Sequence, residues 1–596
     1  MTYFRLLAVS SLALAGCHDA IDLDPLDNTP VVESRVRPAP ILGGTLTLLA
    51  DGVAIATDPD RDLVHVVDLD AREVRHTIAL EPGDQPHRVA LGSNGQAHVV
   101  LRGAGGIATI DPVAGTVTAR HALCLEPRGI AFHDVDSSLY VACAGGSLLH
   151  LTEAGEVLER HELEPDLRDV LIVDGEVKVS LFRSAAILGL DGTRIVIPHS
   201  NAFIPHVAWR TWVTGDGEIA MLHQLASTQT VPINPEPGEL PEGSSPYGGG
   251  GFCQMGLVSA AITTIGEGGI TTTPILDSNL TVDAAFSPDG VWMATAVPGV
   301  VRPEDQVEPA SKRRRGRNEF DVIPAVVRPP VRVDPKPDGG VGCGVSGDDT
   351  DYGQVTAVAF AATGDLVMQS REPARLMIME GGFGGTLETI ALEGESRFDT
   401  GHEIFHRATD SGLSCASCHP EGSDDGHVWD FTDLGPRRTQ ALDVGLADTA
   451  PYHWDGDMPD FDVLMSEVLA HRMGGKRQSP ARGESFTRWM FEQQRPAVAS
   501  VVGDPKLAAD GEALFVTYGC ATCHFGPALG GQRTERIAGA DKQVPSLRRI
   551  SLHPPYMHDG RAPTLDAAVR DMIVTTRSTN APDADVAAIV AYLRTL

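Results

Sequence analysis

Between about residues 45 and 390, apolar and polar positions alternate in short runs broken by Gly, Asp and Pro, and no 3.6-residue period is sustained. A small-apolar strand start recurs near Ala54, Ala90, Ala131, Leu171, Ala208, Ala285 and Ala359, as in Arg88-Val89-Ala90-Leu91 and Gly129-Ile130-Ala131-Phe132. The spacings are 36, 41, 40, 37, 77 and 74 residues, and the first four match a four-stranded propeller blade. The two long intervals hold Pro- and Gly-rich insertions near 232–256 and 298–352. The second carries Lys312-Arg313-Arg314-Arg315-Gly316-Arg317, read as a solvated loop or as a patch for an acidic partner. The pattern predicts an all-β propeller of seven blades over 45–394. Beyond 395 it changes to helical segments and long loops, which predicts a multidomain chain ending in mainly α units.

At the N-terminus, Arg5 precedes the apolar run Leu6 to Leu14, which is too short to span a bilayer and has the form of a secretory signal. It ends in Leu14-Ala15-Gly16-Cys17, which resembles the lipobox of bacterial lipoproteins. The resemblance implies cleavage after residue 16 and lipidation of Cys17, with 17–44 as a linker. The plainer alternative is an ordinary signal with a stray cysteine. His18 rather than Asp after Cys17 favours the outer membrane, so the expected location is the periplasmic side of a bacterial membrane, lipid-anchored.

The chain has 596 residues with 80 acidic against 47 basic side chains, a net charge of −33. That sign excludes a nucleic-acid binder, which needs Lys and Arg for phosphates, and favours cationic protein partners. Nine cysteines fall into distinct groups. Cys415-Ala416-Ser417-Cys418-His419 and Cys520-Ala521-Thr522-Cys523-His524 are both C-x-x-C-H, in which two thiols bond to the vinyl groups of one porphyrin and the next residue, His419 or His524, ligates iron. Two covalent haem c groups are therefore expected. A zinc site would use the same thiols but needs no histidine directly after each pair. Cys124 and Cys143 flank adjacent strand patterns and are placed to form a disulfide, which leaves Cys253 and Cys343 to pair by elimination.

The haem half contains a duplication. Gly401-His402-Glu403-Ile404-Phe405 precedes the first haem motif and Gly511-Glu512-Ala513-Leu514-Phe515 the second. Downstream, Pro451-Tyr452-His453-Trp454-Asp455-Gly456 matches Pro555-Tyr556-Met557-His558-Asp559-Gly560 at nearly equal offsets. Two tandem cytochrome c-like domains follow, 395–500 and 501–596.

Phrases such as Asp62-Leu63-Val64-His65-Val66-Val67-Asp68 resemble the repeats of seven-bladed propellers related to the YVTN family. Only Trp209, Trp212 and Trp292 fall in this region, too few for the docking motifs of a quinoprotein dehydrogenase. The haem motifs follow the propeller, opposite to the order in a haem nitrite reductase.

The haem half resembles the bacterial di-haem cytochrome c peroxidase family. The match in the second domain runs through Val544-Pro545-Ser546-Leu547-Arg548-Arg549, Pro555 to Arg561 and Thr564-Leu565 to Met572. It implies Met572 as the axial ligand of a high-potential haem. In the first domain Gly435-Pro436-Arg437-Arg438-Thr439 stands for the family's G-x-R-N-x-P-T, and Arg472-Met473-Gly474 for Glu-Met-Gly. Arg472 thus occupies the catalytic glutamate's place and cannot act as a proton-shuttling base, though it can polarise a leaving oxygen. The resemblance leaves the first haem's sixth ligand open, with Met473 first and Met465, His427, His453 and His471 behind it. It implies that Trp454 lies between the haems, and Arg437 and Arg548 are candidates to neutralise propionates.

The expected function is an exported di-haem c-type oxidoreductase of the peroxidase kind, passing electrons between two haems and to hydrogen peroxide. Three other readings stand beside it: a pure electron carrier, a propeller that binds a protein or polymer, and oxidation of a side chain in a partner protein.

Overall fold

The computed structural model describes residues 26–235, 245–248, 255–275, 280–298, 352–382, 385–493, 504–537 and 539–596. Cys17, the proposed Cys253–Cys343 pair and the basic run 312–317 lie outside them.

Six four-stranded antiparallel sheets follow one another over 46–79, 86–122, 127–162, 167–196, 203–275 and 355–391. Between the last two stands a two-stranded sheet, Asp283–Phe286 with Met293–Ala296. The described residues thus form a propeller of six complete blades, not the expected seven. Among the described residues Ala285 belongs to a two-stranded hairpin rather than to a four-stranded blade. The ring closes around this hairpin. Asp283 pairs with Arg210 of the fifth blade and accepts from the Val358 amide of the last (2.9 Å). The last blade meets the first where Thr45 donates to Gln369 and Gln369 donates to the Thr57 carbonyl, both at 2.8 Å.

Burial explains the strand pattern. Inner positions of a blade are covered on both faces by neighbouring blades, so Val53–Asp58 and Ala97–Leu101 are buried throughout. The outermost strand has one covered face, and Thr116–Ala122 alternates between half-buried and exposed. Ala90, Ala131, Leu171 and Ala208 sit on the first strand of their blades. Ala54 sits on the second strand, opposite Leu48, because the first blade opens one strand earlier than the repeat suggested.

Seven α-helices stand among the described residues of the C-terminal half: α1 (Thr400–His406), α2 (Cys415–Cys418), α3 (Phe461–Leu464), α4 (Pro480–Phe491), α5 (Pro505–Thr517), α6 (Leu565–Arg577) and α7 (Asp583–Leu593). Asp399, Asp504 and Thr564 cap α1, α5 and α6 through their side chains. The first helical unit shares one continuous core with the propeller, in which Phe182, Trp209 and Met368 join Phe405, Phe461, Phe486 and Trp489. The second has its own core around Phe515, Tyr556, Ile573 and Ile589. From residue 26 the segment expected as a linker straps the first unit: Asp27 donates to the Arg477 carbonyl (2.7 Å), Arg37 pairs with Asp399 (2.9 Å), and Trp489 donates to the Pro38 carbonyl (3.1 Å). Among the described residues no helix is long and apolar enough to cross a membrane.

Candidate haem sites

Each C-x-x-C-H run makes one short helical turn, so the backbone amide of the histidine returns to the carbonyl of the first cysteine at 2.9 Å in both motifs. In the first, Ser414 and Ser417 cap α2 reciprocally. The Nδ1 atoms of His419 and His524 lie 3.1 and 3.0 Å from the Ser423 and Leu529 carbonyl oxygens. A contact of this kind fixes ring orientation and assigns Nε2 to metal binding. The four thiols form no disulfide among themselves. Among the described residues no group of three metal-ligating side chains converges. Burial raises Cys415 to about 12 and lowers His419 to about 4, so both are neutral near pH 7. The residues present suit covalent haem c.

The sequence duplication reappears as geometry. Gly401 of α1 lies against α4, where a Cβ would crowd Trp489 and come within 2.6 Å of the Ser485 carbonyl oxygen. Gly511 of α5 lies against α7, where a Cβ would run into the Ala588 carbonyl oxygen. The paired loops also agree: Tyr452 bridges to Met458 and Tyr556 to Ala562, with His453 and Met557 both at positive φ.

Trp454 lies at the boundary of the two units. Its indole donates to the Arg438 carbonyl (2.6 Å), its own carbonyl accepts from Gln543 (2.8 Å), and its ring is 6.3 Å from that of His558. Asp455 pairs there with Arg437 (2.9 Å) and Lys542.

Around the first motif, Met473 is 5% exposed and shares a cluster with Cys418, Trp429, Leu413 and Tyr247. Met465 is buried in the core that includes Cys415. His427 packs edge-on against His206 of the propeller at 5.0 Å, His453 faces Asp457 at 3.5 Å, and His471 is exposed. Arg472 is buried at the end of a π-helical stretch, Met465–Arg472, a form that recurs at functional sites. Met572 is half-buried on α6. Arg437 is turned to Asp455, and Arg548 donates to the Pro527 carbonyl (2.8 Å), so each already has a protein partner.

Sequence reasoning missed the contacts the propeller makes with these units. Described residues beside and within the insertion of the fifth blade form a clasp: Val231 donates to the Asp430 carbonyl (2.7 Å), and the Tyr247 amide donates to the Arg472 carbonyl (2.9 Å). Two residues after His419, Glu421 enters the propeller between Arg102 (2.8 Å) and Arg168 (2.7 Å). Asp424 takes Arg438 and His553, both at 2.6 Å, with Arg183 at 3.4 Å. Asp443 and Glu126 hold Arg549 of the second unit. A cavity of about 50 Å³ remains among these groups, lined by Arg102, Glu126, Arg183, Glu421 and Asp443. Burial alone would raise Glu421 and Asp424, but the arginines outweigh it and hold both carboxyls well below the usual range. For Asp425, hydrogen bonds from Thr439 and the His427 amide and the charge of Arg438 do not offset burial, which pushes it up to about 7. The signal was present in Glu421 and Asp424 beside the haem motif, but nothing local revealed that their arginine partners lie hundreds of residues upstream.

Residues 508–596 match the cytochrome c family model, so a cytochrome c domain, with the covalent haem c it implies, closes the chain. Two relatives are cytochrome c peroxidases. The chain is 36% identical over 168 residues to cytochrome c peroxidase Ccp of Escherichia coli, covering 23% of this chain and 36% of that protein. It is 38% identical over 139 residues to cytochrome c551 peroxidase of Nitrosomonas europaea, covering 19% and 39%. The chain thus spans under two-fifths of the length of the curated relatives it matches. Among solved structures, hydrazine synthase of Kuenenia stuttgartiensis aligns at 17% identity and TM-score 0.39, over 62% of this chain and 100% of that one.

Proposed function

We propose that this protein is a two-haem c-type oxidoreductase in which the second unit takes up electrons, the first consumes a small oxidant such as hydrogen peroxide, and the propeller frames the first. The observation that carries it is the repeated C-x-x-C-H turn, with each histidine anchored through Nδ1 and Trp454 set between the units. Cys415, Cys418 and His419 would hold one haem, and Cys520, Cys523 and His524 the other, with Met572 as the second haem's sixth ligand and Met473 the candidate on the first. Bound haem would supply one-electron redox chemistry and a metal centre for the oxidant. The protein's part is to exclude water with the Trp429 and Met473 cluster, to keep the units in register through Trp454 and Asp455, and to polarise the oxidant with Arg472. Reducing one hydrogen peroxide to two waters takes two electrons and two protons, with the electrons supplied by a donor protein. A cationic donor suits a chain of charge −33.

We place the protein on the periplasmic side of a bacterial outer membrane, anchored through Cys17, with Cys253–Cys343 as a second disulfide beside Cys124–Cys143. The latter is formed, with Cα atoms 6.2 Å apart.

Haem content, then optical and EPR spectra of oxidised and half-reduced protein before and after stoichiometric peroxide, test the reading. Two haems per chain and a first-haem signal consumed by peroxide are expected. Two low-spin haems unaffected by peroxide would replace the reading with the electron-carrier alternative, which the burial of Met473 beside Cys418 favours.

A further inference from the structure

Almost every buried guanidinium near the haem units has a carboxylate. Arg438 has Asp424, Arg482 has Glu403 (3.1 Å), and Arg549 has Asp443 and Glu126. Arg472 differs. It is 9% exposed, makes no ion pair among the described residues, and its Nε finds no hydrogen-bond partner. Asp457 feels its charge but is engaged with His453 at 3.5 Å, and Asp410 lies against the neighbouring Gly474 without forming an ion pair with Arg472. A buried guanidinium with no carboxylate in contact is strongly disfavoured, so this position calls for an anion.

The propeller adds a second polar group at the same place. Tyr247 is fixed by its amide on the Arg472 carbonyl, its ring packs 6.1 Å from that of Phe431, and its phenol interacts with the Arg472 side chain. Burial raises that phenol, so it remains a hydrogen-bond donor at neutral pH. The pair borders the cluster that contains both Cys418 and Met473. The approach is close: a Cβ on Gly474 would lie 3.3 Å from Ser245 of the same clasp.

We propose that Arg472 and Tyr247 form a small-anion pocket beside the first haem-attachment site, half of it supplied by the propeller. This rests on the reading that Cys415, Cys418 and His419 carry a haem. A glutamate there would repel anions, whereas a guanidinium and a phenol draw them in, so the pocket selects azide, nitrite or hydroperoxide-like ligands. A haem propionate offers the same anionic chemistry from within the cofactor, and the experiment separates the two sources.

Azide is titrated into half-reduced holo-protein and followed by the visible spectrum of the first haem. The titration is done in the wild type and in Met473→Leu, because Met473 as an iron ligand would block the wild type alone. In the Met473→Leu background, Arg472→Gln is expected to weaken azide binding roughly tenfold or more, since a charge-assisted hydrogen bond is lost. Arg472→Lys should recover most of the affinity, and Tyr247→Phe should weaken binding by a smaller factor. An azide constant insensitive to Arg472 with two haems retained would overturn the pocket and assign the guanidinium to a propionate. One haem per chain would instead overturn the underlying two-haem reading.

Discussion

The two haem motifs have the same local turn and opposite surroundings. The first is welded to the propeller: its helices share the propeller's core, residues 26–44 strap it, and Val231 and Tyr247 of the fifth blade bond to it. The second keeps a core of its own, with Thr522 exposed inside its motif and Phe525, directly after His524, 47% exposed. A redox centre that meets a partner needs an accessible edge, while one that handles a reactive oxidant needs dry walls. On the proposed reading, the two copies differ by what surrounds each rather than by their own turn.

Removing Asp424 is the strongest way to break this asymmetry. Its carboxylate, with no exposed surface, holds Arg183, Arg438 and His553 at once. Asp424→Asn leaves three buried cationic groups undercompensated and is expected to cost about 3–5 kcal/mol. Denaturant unfolding followed by the first haem's absorbance should show the loss most strongly, with a smaller shift at the second haem, whose unit Asp424 reaches through His553. Equal destabilisation of both would dissolve the contrast.

The same network fixes a pH dependence. Glu421 and Asp424 have depressed folded-state pKa values, so their contribution is complete above the ordinary carboxyl pKa of about 4 and is lost as pH falls through the folded values. Burial lowers His553, but Asp443 and Asp424 outweigh it and leave it raised. Its contribution is complete below about 6.5 and fades as pH rises through the folded value. The attachment of the first unit to the propeller should therefore hold best between these limits and open first in acid. Limited proteolysis at graded pH, scored for separation of the propeller from 395–596, checks this. Acid sensitivity undiminished in Asp424→Asn would place the labile groups elsewhere.

Much of this architecture was legible because it depends on short-range pattern. Blade strands announce themselves by short alternating runs between turn residues and by a strand start recurring every 36 to 41 residues, and both C-x-x-C-H motifs by spacing alone. The six-blade count was not legible, because the hairpin at Asp283–Phe286 begins as a blade does and only its outer strands are absent among the described residues. The clasp read as a loop because its partners, Asp430 and Arg472, are distant in sequence, and the ion network was hidden for the same reason. Arg472 was conspicuous as a departure from a resembling family, but its lack of a counter-charge is a fact of packing.

The smallest effect tests the duplication itself. Gly401→Ala and Gly511→Ala each place a methyl group where one helix touches the last helix of its unit, and overpacking of this kind costs about 1–3 kcal/mol. The second site abuts a backbone carbonyl of α7, which cannot rotate away, and the first meets both a side chain and a carbonyl of α4. Gly511→Ala should loosen only the second unit. Gly401→Ala should also be felt in the propeller, since Phe405 and Trp489 belong to the shared core. Hydrogen exchange mapped onto the last blade would read that difference, and protection changes confined to the mutated unit in both variants would show that the shared core does not couple them.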